Sequence, residues 1–206
     1  MSLSNFVTER LKITSKSKSY ILRPKSKDEL RSIVEQELDR QGPDADLNFI
    51  DTSWITDMSG LFYNLRPRNI NIDQWDTSNV TTMEKMFLEC REFNCDLSGW
   101  DTSKVTDMNG VFAECREFTG IGLDKWNTKN VTTMEDMFFN CTKFNCDLSG
   151  WNVSNVVNMS YMFFNCISFK CNLSGWDVSN VTNYYEVFKG CSGMKRNWDL
   201  QPEFKE

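Results

Sequence analysis

The chain has 206 residues, 40% of them hydrophobic and 25% charged, which suits one domain or one elongated array and excludes wholesale disorder and collagen-like structure. Its 23 Lys and Arg against 29 Asp and Glu leave a net charge of −6 with no long basic run, so nucleic acid is not expected as a direct ligand. There is no histidine, which removes the commonest general base and nitrogen ligand to metals; neither a metal nor a cofactor is expected.

The N-terminal segment, 1–46, opens with a helical pattern over Asn5 to Leu11, a Lys/Ser-rich linker from Thr14 to Ser19, and an edge strand over Tyr20 to Pro24. Its first ten residues lack the apolar core of a secretory signal, and no stretch approaches 18 apolar residues. The expectation is therefore no membrane span and a cytoplasmic location, with an extracellular or cell-surface location as the alternative if a signal lies outside the given sequence. Ser26 to Gln41 reads as a helix: Ser26 and Glu29 form a capping box, Leu30, Ile33, Val34 and Leu38 the apolar stripe, and Gly42-Pro43 the stop. It is expected to cover the first of a series of repeats.

Those repeats dominate the rest of the chain. Tryptophans fall at 75, 100, 126, 151 and 176, so the step is 25 residues with a single 26. Cys90, Cys115, Cys141, Cys166 and Cys191 keep it, as do Phe62, Phe87, Phe112, Phe138, Phe163 and Phe188. Each of six units opens on an aliphatic residue, Leu47, Ile72, Leu97, Leu123, Leu148 or Leu173. The extra residue near Thr119-Gly120-Ile121-Gly122 belongs in a loop.

Two periodicities alternate within a unit. Leu97 to Val105 reads L-x-x-W-x-T-x-x-V, the spacing of a short parallel strand in a leucine-rich repeat, with Val153 and Val178 replacing Thr102 at the inward position. Met83, Met86, Phe87 and Cys90 then fall at i, i+3, i+4 and i+7, the stripe of a short helix, opened by Thr81 with Glu84 and, in a later unit, by Thr132 with Glu135 as capping boxes. A unit of 25 residues cannot enclose its own apolar face, so stacking is the remedy. The expected fold is an α/β solenoid, leucine-rich-repeat-like, with one strand and one helix in each of six units over 47–191. Residues 192–206 form the C-terminal cap, with Trp198 as its plug.

The segment W-D-T-S-N-V-T-T-M-E-K-M-F-L-E-C-R-E-F-N-C-D-L-S-G-W from Trp75 to Trp100 resembles the BspA-like leucine-rich repeat, the 26-residue repeat of bacterial surface proteins and mycoplasma-type lipoproteins. Comparable units cover about 47 to 191. The resemblance implies a repeat protein that binds other macromolecules, often as an adhesin, and implies no catalysis.

Candidate contact residues follow from the repeat and its breaks. The five cysteines at the end of the apolar stripe read as buried reduced thiols, and the Cys90/Cys95, Cys141/Cys146 and Cys166/Cys171 pairs do not have zinc spacing. A ladder of Asp51, Asp76, Asp101, Asn127, Asn152 and Asp177 follows the tryptophans; it either bonds turn amides locally or offers an acidic strip to a partner. Trp54 shares a column with Asn79, Lys104, Asn130, Asn155 and Asn180, and reads either as packed beneath the cap helix or as a binding anchor. Phe139, Tyr161 and Phe164 form either an exposed apolar patch or inter-helix packing.

The functional expectation is a non-enzymatic protein-binding scaffold that uses Trp54, Asp76, Asp101, Lys104, Phe139, Tyr161 and Phe164 against a protein with a basic surface; self-association is open. One version is a phage or mobile-element inhibitor of a host enzyme that handles nucleic acid. An extracellular adhesin module is the alternative, and a carbohydrate-active enzyme built on paired aspartates the third.

Overall fold

A computed structural model describes residues 22–195 and 201–204. The N-terminal helix over Asn5 to Leu11, the linker at 14–19, Tyr20 and Ile21 of the edge strand, and the Trp198 plug lie outside the described residues.

Helix α1, Lys27–Gln41, begins where the Ser26 hydroxyl accepts the Glu29 amide and ends where Gly42, at φ 86°, donates its amide to the Leu38 carbonyl. Glu29 reaches the Lys25 amide rather than that of the cap residue, so the reciprocal half of the box is shifted by one residue. Leu30, Ile33 and Val34 face inward and are buried.

Beyond α1 the expected strand-and-helix architecture is not what the chain forms. Among the described residues there is no extended strand. The remaining helices are one turn of 3₁₀ helix at Leu123–Lys125 and α2, Ser192–Lys195. The six units are built from turns.

Where a helix was expected, Met86, Leu88 and Cys90 donate their amides three residues back, to the carbonyls of Met83, Lys85 and Phe87, at 3.0–3.1 Å. The alternate amides leave the unit altogether: Lys85, Phe87 and Glu89 donate to Asn109, Val111 and Ala113 of the next unit at 2.8–2.9 Å. This alternation needs a left-handed residue every four positions, and the chain supplies it in register. The first such column is Gly60, Lys85, Gly110, Asp136, Tyr161 and Glu186, and the second is Asn64, Glu89, Glu114, Asn140, Asn165 and Gly190, all at φ between 50° and 83°.

The apolar stripe survives because turns of this kind bury the same i, i+3, i+4 and i+7 positions; Met83, Met86, Phe87 and Cys90 are fully buried. The helix loses on spacing. Successive core rings, Phe87 to Phe112 to Phe138, lie 5.6 and 5.8 Å apart, whereas packed helices need about 8–10 Å between axes. The expected capping boxes dissolve accordingly. Thr81 donates its hydroxyl to the Thr56 carbonyl, and it is the neighbouring Thr82 hydroxyl that accepts the Glu84 amide; at the later box Thr132 donates to Thr106 and Thr133 accepts from Glu135.

The expected strand fails for a related reason. Trp100 and Val105 donate back to Leu97 and Thr102, closing turns at 3.2 and 3.0 Å, and the Asp96 and Asp101 carboxylates take the Ser98 and Ser103 amides. Pairing along most of the stack is therefore limited to one residue per unit, in the parallel series Asp57, Thr82, Asp107, Thr133, Asn158, Asn183. A similar isolated bridge joins Leu22 to Ile50.

Register holds the core together. Each indole of Trp75, Trp100, Trp126, Trp151 and Trp176 donates to the carbonyl of the aliphatic residue that opens the preceding unit, at 2.8–3.2 Å. The Cys90, Cys115, Cys141 and Cys166 thiols donate similarly to Phe62, Phe87, Phe112 and Phe138. Thr52, Thr77, Thr102 and Thr128 are buried and donate forward to the carbonyl of residue 76, 101, 127 or 152, until Val153 and Val178 take the position over. The extra residue of the step from the third unit to the fourth is absorbed at Gly120 and Gly122, both left-handed; a Cβ on either would collide, with the Phe144 ring or with the Ser98 backbone.

The end beneath α1 is closed by a cation. The carbonyls of Leu61 and Tyr63, whose equivalents in later units accept amides of the preceding unit, have no such unit to bond, and Arg31 donates to them at 3.2 and 3.0 Å and also to the Gly60 carbonyl at 2.5 Å.

Candidate functional site

The residues singled out by the sequence fall on two separate edges. Asp76 and Asp101 are exposed, and each is engaged by its own turn, accepting the amide two residues on, from Ser78 and Ser103. Asp51, Asn127, Asn152 and Asp177 do the same. Ser103, through hydroxyl and amide, holds the Asp101 carboxyl below its ordinary value. Lys104 spans one unit to donate to the Asn79 side chain at 2.7 Å. Trp54 is not packed beneath α1: it stands 65% exposed at the start of that column.

Inward chemistry is closed. All eight cysteines are free, and loss of water on burial pushes up the thiols of Cys90, Cys95, Cys115, Cys141, Cys146, Cys166 and Cys171, Cys171 to about 11 and Cys95 to about 12, with Cys115 and Cys166 well above the ordinary thiol value. A neutral, buried thiol that donates to a carbonyl is neither a nucleophile nor a ligand. Among the described residues no group of three or more Cys, Asp or Glu is disposed to hold a metal ion. No helix among them is long and apolar enough to cross a membrane.

The second edge lies over the turns. Phe139 and Phe164, equivalent positions in adjacent units, stack at 4.9 Å with planes 9° apart, and Tyr161 meets both edge-on at 6.4 and 5.8 Å. All three are half-buried. Tyr185 extends the cluster at 5.3 Å from Tyr161 and is 59% exposed, and the Lys189 ammonium sits 5.6 Å above the Phe164 ring. Offset and edge-on rings of this kind attract one another through their quadrupoles while leaving faces open.

The patch borders a depression of about 330 Å³ lined by Lys85, Leu88, Gly110, Ala113, Asp136 and Phe139, among others. It exists because the third unit has Gly110 and Ala113 where the fourth has Asp136 and Phe139 and the fifth Tyr161 and Phe164. Loss of water pushes the Asp136 carboxyl up, with Glu135 adding to the effect and Lys85 opposing it.

The structure thus brings together Phe139, Tyr161 and Phe164, and separates them from Trp54, Asp76, Asp101 and Lys104. Sequence reasoning missed Tyr185, Asp136, Gly110 and Ala113. The available signal was the 25-residue step itself: counting back from Tyr161 gives Asp136 and then, across the 26-residue step, Gly110, a column whose chemistry changes at every unit.

Among known proteins, a family model described as "Mycoplasma protein of unknown function, DUF285" matches twice, over residues 34–122 and 119–202. No curated protein and no solved structure matches.

Proposed function

We propose that this chain, which belongs to the mycoplasma protein family DUF285, is a non-enzymatic scaffold that binds another protein over its turn face. The single observation that carries this is the cluster of Phe139, Tyr161, Phe164 and Tyr185 beside the Gly110–Ala113 depression. Rigid aromatic rings next to a concavity are the usual anchors of an interface. The two phenylalanines are displayed by a backbone fixed on both sides by inter-unit hydrogen bonds, so little order has to be gained on binding. The BspA-like resemblance is the finer family reading and points the same way. The net charge of −6 favours a partner with a basic surface, reached with electrostatic steering.

The test is affinity capture with the intact chain, with the Phe139→Ala/Phe164→Ala double variant and with Trp54→Ala. A partner retained by the parent and by Trp54→Ala but lost by the double variant supports the turn face. Equal recovery in all three contradicts it.

A further inference from the structure

Resting on that reading, we propose that the depression over Gly110 and Ala113 is a pocket for one arginine side chain of a basic partner peptide, with the guanidinium between the Asp136 carboxylate and the rings of Phe139 and Tyr161.

Shape comes first. In the two outward columns of the turn face the units present Lys85 and Leu88, Gly110 and Ala113, Asp136 and Phe139, Tyr161 and Phe164, Glu186 and Lys189. The third unit alone in that series has no long side chain, so the floor is low. The walls on either side are the Lys85–Leu88 pair and the Asp136–Phe139 pair. Leu88, Ala113 and Phe139 suit the methylene stem of a long side chain rather than water.

Charge narrows the occupant. Three ionisable side chains line the depression besides Tyr161: Lys85, Glu114 and Asp136. Lys85 is paired with Glu84 at 2.8 Å and Glu114 with Arg116 at 3.0 Å, while Asp136 enters no ion pair among the described residues. That carboxylate has the attraction of Lys85 across the depression but no cation bonded to it, in partly desolvated surroundings that disfavour its ionisation. A cation brought beside it recovers what that burial costs.

The rings favour arginine. The patch already accommodates one cation over an aromatic face, Lys189 on Phe164, and Phe139 lies parallel to Phe164 one unit nearer the pocket. A planar guanidinium stacks on such a face and still directs N–H groups at a carboxylate, which an ammonium cannot do with the same geometry.

The probe is N-acetyl-arginine amide, titrated into the full chain and followed by ¹H–¹⁵N spectra, with N-acetyl-citrulline amide as the uncharged isostere. The expected result is saturable shifts at the Gly110, Ala113 and Asp136 amides. Citrulline, Asp136→Asn and Phe139→Ala should each weaken binding by about three- to tenfold. Asparagine tolerates the left-handed backbone at 136, so Asp136→Asn tests charge without disturbing the turn. Equal binding of citrulline, or unchanged binding by Asp136→Asn, overturns the proposal, as do shifts that fail to saturate. If arginine fails to bind while capture still depends on Phe139 and Phe164, the cation assignment falls and the scaffold reading stands; capture indifferent to those rings overturns the scaffold reading itself.

Discussion

On the tryptophan side of the stack, each indole reaches back to the preceding unit and each following Asp or Asn closes a turn, so the same side chain does the same task five or six times. Outward on the turn side, the column Gly60, Lys85, Gly110, Asp136, Tyr161, Glu186 changes from each unit to the next. The backbone beneath that column is as regular as anywhere else, with every one of these residues left-handed. The difference separates two kinds of position. Side chains that recur in register are required by the stack, whereas those that change from unit to unit stand on a backbone that makes no demand on them, and they are free to recognise something else.

The comparison predicts a steep gradient in the cost of substitution. Phe112→Ala should be the most damaging: the ring is fully buried and stacked on Phe87, Phe138 and Phe118, and its loss should cost about 3–5 kcal/mol in a denaturant titration. A cost below that of any outward substitution would break the distinction between the two kinds of position.

Arg31→Met probes the end of the stack, where the guanidinium contacts three carbonyls and stands in for a missing unit at two of them, Leu61 and Tyr63. It should cost about 1–3 kcal/mol, with faster hydrogen exchange confined largely to the first unit, since neighbouring units couple mainly to each other. Uniform loss of protection through all six units would refute that local coupling.

Tyr161→Asn sharpens the comparison from the variable side. Asparagine accepts a φ of 56° more readily than tyrosine does, so the midpoint should move by less than about 1 kcal/mol while partner capture falls. A large destabilisation would make Tyr161 part of the frame.

The smallest effect is expected at Asp136→Asn. The native carboxyl titrates above its ordinary 3.8, so the folded state favours the protonated form, and ionisation opposes folding once the pH rises past that ordinary value. The variant should therefore be the more stable protein at neutral pH, by less than about 1 kcal/mol after screening, with the gain vanishing as the pH falls through 3.8. Destabilisation at neutral pH would contradict this.

The period, the buried columns and the start and stop of α1 were all legible in the sequence, because burial is dictated by the 25-residue step whatever the local backbone does. The backbone itself was not. Met83, Met86, Phe87 and Cys90 carry the stripe of a helix, and that stripe cannot separate a helix from turns with a left-handed residue every fourth position. The separating signal was present in Gly60, Asn64, Gly110, Asn140, Asn165 and Gly190, residues that accept such a backbone and recur at the repeat step. The aromatic patch was half legible, through Phe139, Tyr161 and Phe164. The pocket beside it was not, because it is made by what Gly110 and Ala113 lack.

The central claim is that alternate amides of each unit bond to the next unit rather than four residues back along the chain. Scalar couplings across hydrogen bonds, measured by NMR on the isotopically labelled full chain, test it directly. The account predicts couplings from the Phe87 amide to the Val111 carbonyl, from Phe112 to Met137 and from Phe138 to Met162. A coupling from the Phe87 amide to the Met83 carbonyl in their place would mean helices in the units and would contradict the account.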